Sequence, residues 1–382
     1  MDVYFFTEMP YAEFDENEAD KYPSMRLTFP NTYFDPNKAH YLFQRYLDEY
    51  QYAEEMGWDG LMTNEHHNTP SCMDVEVNII SGILARITKR VPILILGNVL
   101  PTSDNPTRLA EEVAMVDVIS GGRVISGIVR GIGIESWAYN INPTQNRERF
   151  EEAHDLMVKT WTTPGPFRWE GKHYHYRVIN PWVLPVQKPH PPIWTPGAGS
   201  PETVEWAARH RYTYAAFLTP LDVASNLFDM YRTVASEDGW EPGPDKFSFM
   251  VTCHVDDTDE KAYEEGKHFM WRMRRPLEGP TEYFSPPGYV SRRGTVNFSA
   301  VAHPGSNRPK ALSQLSYDEL IESNRIIVGN PETVIKKLRH IKDTLGIGAL
   351  MLESQAGKMS HESTMRHIEL MGKEVIPALR EN

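Results

Sequence analysis

The chain has 382 residues, 40% of them hydrophobic and 24% charged, with 39 Lys plus Arg against 52 Asp plus Glu and a formal charge of −13. This composition fits a soluble protein with a sizeable core. Its acidic balance argues against general binding to nucleic acid or anionic membranes, which need basic patches. Cys72 and Cys253 are the only cysteines, so neither a disulfide framework nor a cysteine zinc site is expected, and a cytoplasmic setting fits best.

At this length the chain is either two average domains or one enlarged α/β barrel. Its first residues lack a basic segment and a long apolar run, and read as a strand over residues 3–7 rather than a leader. No run approaches the ~18 apolar residues of a membrane span. A helix over residues 41–56, a strand over 60–64 and a helix over 77–88 follow. The strand over 93–99 leads to a helix with Asn105 as N-cap and Pro106 at its first position. Leu109, Val113, Val116 and Ile119 lie at helical spacing and define its expected buried face. A strand over 124–129 and a helix over 147–161 come next. The strand through Trp194 then reaches Gly197-Ala198-Gly199-Ser200 and a helix ending at His210. Residues 214–218, 221–234, 247–255, 331–345, 347–352 and 362–379 complete eight strands alternating with eight helices. That alternation predicts an α/β fold, a (β/α)8 TIM barrel, as one domain over residues 1–382.

Two stretches break the rhythm. Residues 163–192, rich in Pro and aromatics, are expected to form an irregular insertion. Residues 256–328 separate strand seven from helix seven, with one helical piece over 260–273 and no clear periodicity elsewhere. Leaving from the C-terminal end of a strand, this stretch is expected to overhang the active face as a lid.

Polar residues gather where the strands end, on the face that carries chemistry in such barrels. Glu65-His66-His67 closes strand two. Neighbouring strand residues point to opposite sides, so the two imidazoles are not expected to share a metal, and no metal site is predicted. One imidazole facing the pocket is a candidate general base; a buried structural histidine is the alternative. Arg130 ends strand four beside Gly131-Ile132-Gly133 and suits a phosphate or a salt bridge. Ser200-Pro201-Glu202-Thr203 starts a helix after a glycine-rich turn, a natural phosphate site. An ordinary capped helix looks the same, and Asn330-Pro331-Glu332-Thr333 has nearly that chemistry. Trp194 leads into this turn and could wall a flat cofactor. Tyr11, Phe14, Trp137, Tyr139, Tyr283 and Phe284 are either pocket lining or loop packing.

The chain resembles the luciferase-like flavin-dependent monooxygenases. The resemblance is carried in order by Gly57-Trp58-Asp59-Gly60, Asn64-Glu65-His66-His67, Val99-Leu100-Pro101-Thr102 and Asp117-Val118-Ile119-Ser120-Gly121-Gly122-Arg123. Val129-Arg130-Gly131, Gly199-Ser200, Thr203-Val204-Glu205-Trp206-Ala207-Ala208, Val328-Gly329-Asn330-Pro331-Glu332 and Val375-Ile376-Pro377 continue it. It implies a barrel that binds FMN as FMNH2, supplied by an NAD(P)H:flavin reductase. With O2 as co-substrate, it implies oxygen transfer to a small organic substrate through a flavin C4a-(hydro)peroxide. By position, Arg130, Gly199, Ser200 and Thr203 would hold the phosphate. Leu96, Gly97 and Asn98 would carry a non-prolyl cis peptide beneath the ring, with Trp194 beside it. His66 would be the base, with Glu65 and His67 as further candidates. Val129 stands where luciferase has a flavin-adjacent cysteine, and Ser136 stands at an acidic position, with Glu135 next to it. The resemblance also implies a homo-oligomer. Alternatives are an F420-dependent oxidoreductase and a non-catalytic flavin-binding subunit.

Overall fold

Short polar residues start the helices where the sequence places them. Asp35 accepts a hydrogen bond from Asn37 N at the start of α1 (Pro36–Met56). After α2 (Val77–Ile87), Asn105 accepts one from Arg108 N at the start of α3 (Pro106–Ser120). Gly57 and Gly121 end α1 and α3 in the left-handed conformation, which costs glycine little. The remaining helices of concern here are α4 (Gly133–Ala138), α5 (Asn146–Thr162) and α6 (Pro201–Arg209). The computed structural model describes residues 1–291, 293 and 311–381. Among the described residues no helix is long and apolar enough to cross a membrane.

Among the described residues eleven strands run in chain order. They are β1 (Asp2–Thr7), β2 (Gly60–Thr63), β3 (Ile93–Val99), β4 (Val124–Val129), β5 (Phe167–Glu170) and β6 (His175–Ile179), then β7 (Ile193–Gly197), β8 (Thr213–Phe217), β9 (Phe247–Val255), β10 (Ile326–Gly329) and β11 (Ala349–Gln355). β1, β2, β3, β4, β7, β8, β9 and β11 form a closed parallel barrel, the expected fold, with β9 pairing both β8 and β11. β2 stops at Thr63, so Glu65-His66-His67 lies in the loop after the strand rather than at its end.

Both interruptions contain more regular structure than their sequences suggest. The 163–192 insertion includes the antiparallel hairpin β5–β6, tied by Tyr176 Oη to Asn105 at the start of α3. In the 256–328 stretch, β10 pairs with residues 252–255 of β9, on the edge that β8 occupies lower down. The helix Tyr317–Glu322 buries Tyr317 and Leu320 with Phe269, Ile326 and Met359. This part is therefore core, not lid. Short-range periodicity misses it because each piece is shorter than two helical turns. The rest of that stretch, 292 and 294–310, lies outside the described residues.

The buried face of α3 keeps Val113 and Val116 of its predicted residues, with Leu109 packed at its edge. Ala110, Ala114 and Asp117 join them, whereas Ile119 is exposed. Asp117 is accommodated because the Gln187 side chain and backbone N both donate to its carboxylate. Satisfied hydrogen bonding here outweighs simple hydrophobic spacing.

Inside the barrel, alternate residues grade from apolar to charged. Tyr4 and Phe6 of β1, Met62, Leu94, Leu96, Trp194, Met250 and Met351 share one interior cluster. Two residues beyond Phe6 and Met351 stand Glu8 and Glu353, both buried. Arg272, from the short helix Met270–Met273 that follows β9 at a distance, donates to Glu8 at 2.9 and 2.7 Å and approaches Glu353 at 3.4 Å. Burial pushes the Glu8 carboxyl up, but Arg272, His66, the Asn64 hydrogen bond and Arg26 together outweigh it and hold Glu8 low. Burial and then the Glu8 charge, opposed by the less closely engaged Arg272, push Glu353 up to about 7.

Glu353 thus keeps its proton in the folded chain over a range where the unfolded chain, near 4.5, has lost it. Its contribution to stability is full below that lower value and fades as pH rises toward about 7. Glu353→Gln should therefore flatten the fall in stability between about pH 5 and about pH 7. Urea unfolding at stepped pH checks this, and an unchanged slope would refute it.

Candidate active site

The first wall of the mouth is set by two glycines. A Cβ on Gly97 would run into the carbonyl of Gly127, and one on Gly127 into the carbonyl of Ile95. Only glycine lets β3 and β4 approach so closely. The Leu96–Gly97 peptide is cis, at the position the resemblance implied. Leu96 faces the barrel interior, in the same cluster as Trp194, which packs against Tyr4 at 5.7 Å. Asn98 instead turns its side chain to helix α2, accepting from Asn78 at 2.9 Å.

The three acid–base candidates separate. His66 Nδ1 lies 3.3 Å from Glu135 Oε1, and the other carboxylate oxygen accepts from Ile132 N at 2.8 Å. Glu135 is buried. Burial pushes its carboxyl up, but the His66 hydrogen bond and charge, with Arg26 and the Ile132 N–H, leave it below its ordinary range. His67 points elsewhere, pairing with Glu65 at 2.9 Å and with the Tyr139 hydroxyl at 2.8 Å. Glu65 also receives Val77 N at the start of α2. That pair fastens the loop to α2, and only His66 meets a buried carboxylate.

A second cluster forms across β4, α5 and α6. Arg147 Nη2 donates to Ser200 Oγ and Thr203 Oγ1, each at 3.2 Å. Ser200 stands at the N-cap of α6 but makes no side-chain cap. Its hydroxyl donates to Glu202 instead, at 3.1 Å. Asn330, the look-alike, does cap its helix by accepting from Thr333 N at 2.9 Å. The structure so distinguishes two helix starts that the sequence leaves equivalent. Gly199 has a φ of +144°, and the place of a Cβ there is open space.

Arg130 reaches this cluster from the end of β4. Its Nη1 donates to the Tyr289 carbonyl at 3.0 Å and its guanidinium lies 4.3 Å over the Tyr289 ring. Burial, and after it the neighbouring Arg130 charge, push the Arg147 guanidinium down. Two cations held together beside hydroxyls and a helix N-terminus form a cradle for an anion.

Residues 281–291 close one side of the mouth. Trp137 Nε1 donates to the Glu282 carbonyl at 2.9 Å, Tyr289 donates its hydroxyl to the Gly131 carbonyl, and Ser291 donates to Glu202 at 2.6 Å. Trp137 and Tyr283 stand edge to face at 6.1 Å. Phe14 belongs to a different cluster, with Phe29 and Tyr33, and Tyr11 packs on Phe34, so these two are loop packing.

Glu135 and Arg147 were not among the residues singled out for the site. Glu135 adjoins the acidic position the resemblance flagged. Arg147 has no local sign, being one of two arginines on an amphipathic helix.

A parallel barrel with a candidate anion cradle and a histidine paired to a buried carboxylate at its C-terminal mouth defines a candidate cofactor-dependent enzyme. The chain belongs to the luciferase-like monooxygenase family, whose sequence profile matches residues 33–347. It is 24% identical over 353 residues to the alkanal monooxygenase alpha chain of Photobacterium leiognathi, covering 92% of this chain and 97% of that one. One similar solved structure is the oxygenating constituent of 3,6-diketocamphane monooxygenase, a type II Baeyer–Villiger monooxygenase from Pseudomonas putida in complex with FMN. It matches with a TM-score of 0.72 at 19% identity, over 98% of each chain. An F420-dependent secondary alcohol dehydrogenase in complex with an F420-acetone adduct matches with a TM-score of 0.68 at 18% identity, over 100% of each chain.

Arg147→Ala should weaken binding of a phosphate-bearing ligand such as FMN roughly 10- to 100-fold, the loss expected of charged hydrogen bonds. Quenching of flavin fluorescence measures it, and wild-type affinity in the variant would remove Arg147 from the cradle.

Proposed function

We propose that this chain is the oxygenase of a two-component flavin monooxygenase, working in the cytoplasm with a separate NAD(P)H:flavin reductase. The observation that carries this reading is Arg147 donating to both Ser200 and Thr203 at the barrel mouth, with the charge of Arg130 beside it. The chemistry of that donor set fits the FMN phosphate, and the open space at Gly199 leaves room for it. Reduced FMN, when bound, supplies the electrons and the means of activating O2.

The chain's own residues bind, orient and protect. Arg130, Arg147, Ser200 and Thr203 hold the phosphate, and Gly199 permits its approach. Leu96 and Gly97, with Asn98 fixed behind them by Asn78, present the surface on which the ring would rest. Glu135, kept ionised, accepts from His66 Nδ1 and so leaves Nε2 to hold or move a proton. Residues 281–291 exclude water from the phosphate side. Trp137, Tyr139 and Tyr283 offer apolar surface to a small organic substrate.

The test combines anaerobic titration with FMNH2 and turnover under isotopically labelled O2, screening aliphatic aldehydes and cyclic ketones. One labelled oxygen in a product supports the reading; FMNH2 failing to bind overturns it. The fold shared with an F420-dependent dehydrogenase keeps hydride transfer as a second reading, and titration with reduced F420 separates the two. His66→Gln should lower turnover roughly 100-fold while leaving FMNH2 affinity nearly unchanged, as expected for loss of a general acid–base group. A matching loss of affinity would make His66 a binding residue instead.

The reading includes assembly with a second copy of the chain. α2 carries no charged residue before Arg86, although Ile79 and Ile83 on its outer face are exposed. Met115, Val118 and Ile119 of α3 and Trp182 of the insertion, 93% exposed, extend this apolar face. A helix apolar all round is normally buried, and a self-complementary face suits a two-fold pair. Ile79→Glu combined with Met115→Glu should halve the mass measured by light scattering, whereas a monomeric wild type would dismiss the pairing.

A further inference from the structure

Away from the mouth, α5 and the end of α6 bring two imidazoles and a carboxylate together. One nitrogen of His154, one of His210 and a carboxylate oxygen of Asp155 all lie within 4.8 Å of one another. His210 Nδ1 is 2.8 Å from the Trp206 carbonyl, which can only accept. That nitrogen therefore carries the proton, and Nε2 holds the lone pair. His154 Nε2 is 2.8 Å from the Tyr212 hydroxyl, and its Nδ1 is 2.9 Å from Asp155 Oδ1. The Tyr212 hydroxyl can donate or accept. When it accepts, the His154 proton sits on Nε2 and the Nδ1 lone pair faces Asp155. Each ring then has its outer nitrogen fixed by an oxygen, the arrangement that metal-bound histidines show. Trp206 and Tyr212 pack around both rings, with Trp206 4.8 Å from His154 and 4.4 Å from His210.

We propose that His154, Asp155 and His210 bind a divalent transition-metal ion of the zinc or nickel class. Two imidazoles and a carboxylate suit such ions, and the exposure of Asp155 and His210 leaves further coordination positions to water. Binding moves the His154 proton from Nδ1 to Nε2 and releases none.

The location gives the ion a role. Arg147 joins α5 to the first turn of α6 through Ser200 and Thr203. Seven residues further along α5, His154 and Asp155 meet His210, the residue that follows α6. The metal would clip the middle of α5 to the far end of α6 and hold the arginine against the cradle from behind.

Zinc titration of the untagged, EDTA-treated, flavin-free protein tests the site by calorimetry and thermal unfolding. The expected result is one tight equivalent with a rise in Tm. His210→Ala and Asp155→Ala, both at exposed positions, should each weaken that step at least roughly 10-fold. His40→Ala, on α1, should leave it unchanged. Equal affinity in wild type and both variants would overturn the proposal, as would no saturable binding below about 100 µM, a threshold of modest affinity.

Discussion

A guanidinium withdrawn from water must be matched by carboxylates, and the mouth of this barrel is organised around that requirement. Arg272 lies buried between Glu8 at the end of β1 and Glu353 in β11. Asn64 donates to the second Glu8 oxygen and Thr252 to Glu353. Four strands thus contribute to a single buried ionic cluster, and the chain leaving β9 is fixed to it. From that anchor residues 281–291 reach across to Arg130, so the outline of that side of the mouth depends on a contact made some distance away.

The mouth also separates its charges by task. Arg130 and Arg147 share one flank, and among the described residues no carboxylate approaches Arg147 more closely than Glu151 at 3.7 Å. On the other flank His66 has a buried acid of its own. Excess positive charge suits a ligand that stays anionic, while a neutral-on-average pair suits a proton that moves. With the two confined to different strand ends, an anion bound at the proposed cradle would act on the His66–Glu135 pair only from a distance.

Much of this could be read in the chain before any coordinates. The barrel followed from alternating strand and helix signals, Asn105 behaved as its cap, and the family resemblance placed the cis peptide at Leu96–Gly97. What escaped were contacts between residues far apart in sequence. Arg147 is 53 residues from Ser200 and Glu135 is 69 from His66; no local pattern joins such pairs. The exposed position of Ile119 and the inward turn of Asp117 escaped for a related reason. Gln187, from another segment, supplies what makes a buried aspartate tolerable. Ser200 and Asn330 show the limit clearly, since their flanking residues are alike and only tertiary partners divide capping from ligand reach.

β10 takes over the edge of β9 where β8 ends, so the chain re-enters the sheet through backbone hydrogen bonds rather than side-chain fit. Backbone pairing is indifferent to what precedes it. The chain is thus tied down at Arg293, which meets Glu205 on α6, and again at residues 326–329, joined to β9. Because the main chain sets the register at this edge, exchanging one side chain of β10 for another of like size would alter local packing without sliding the strands past each other.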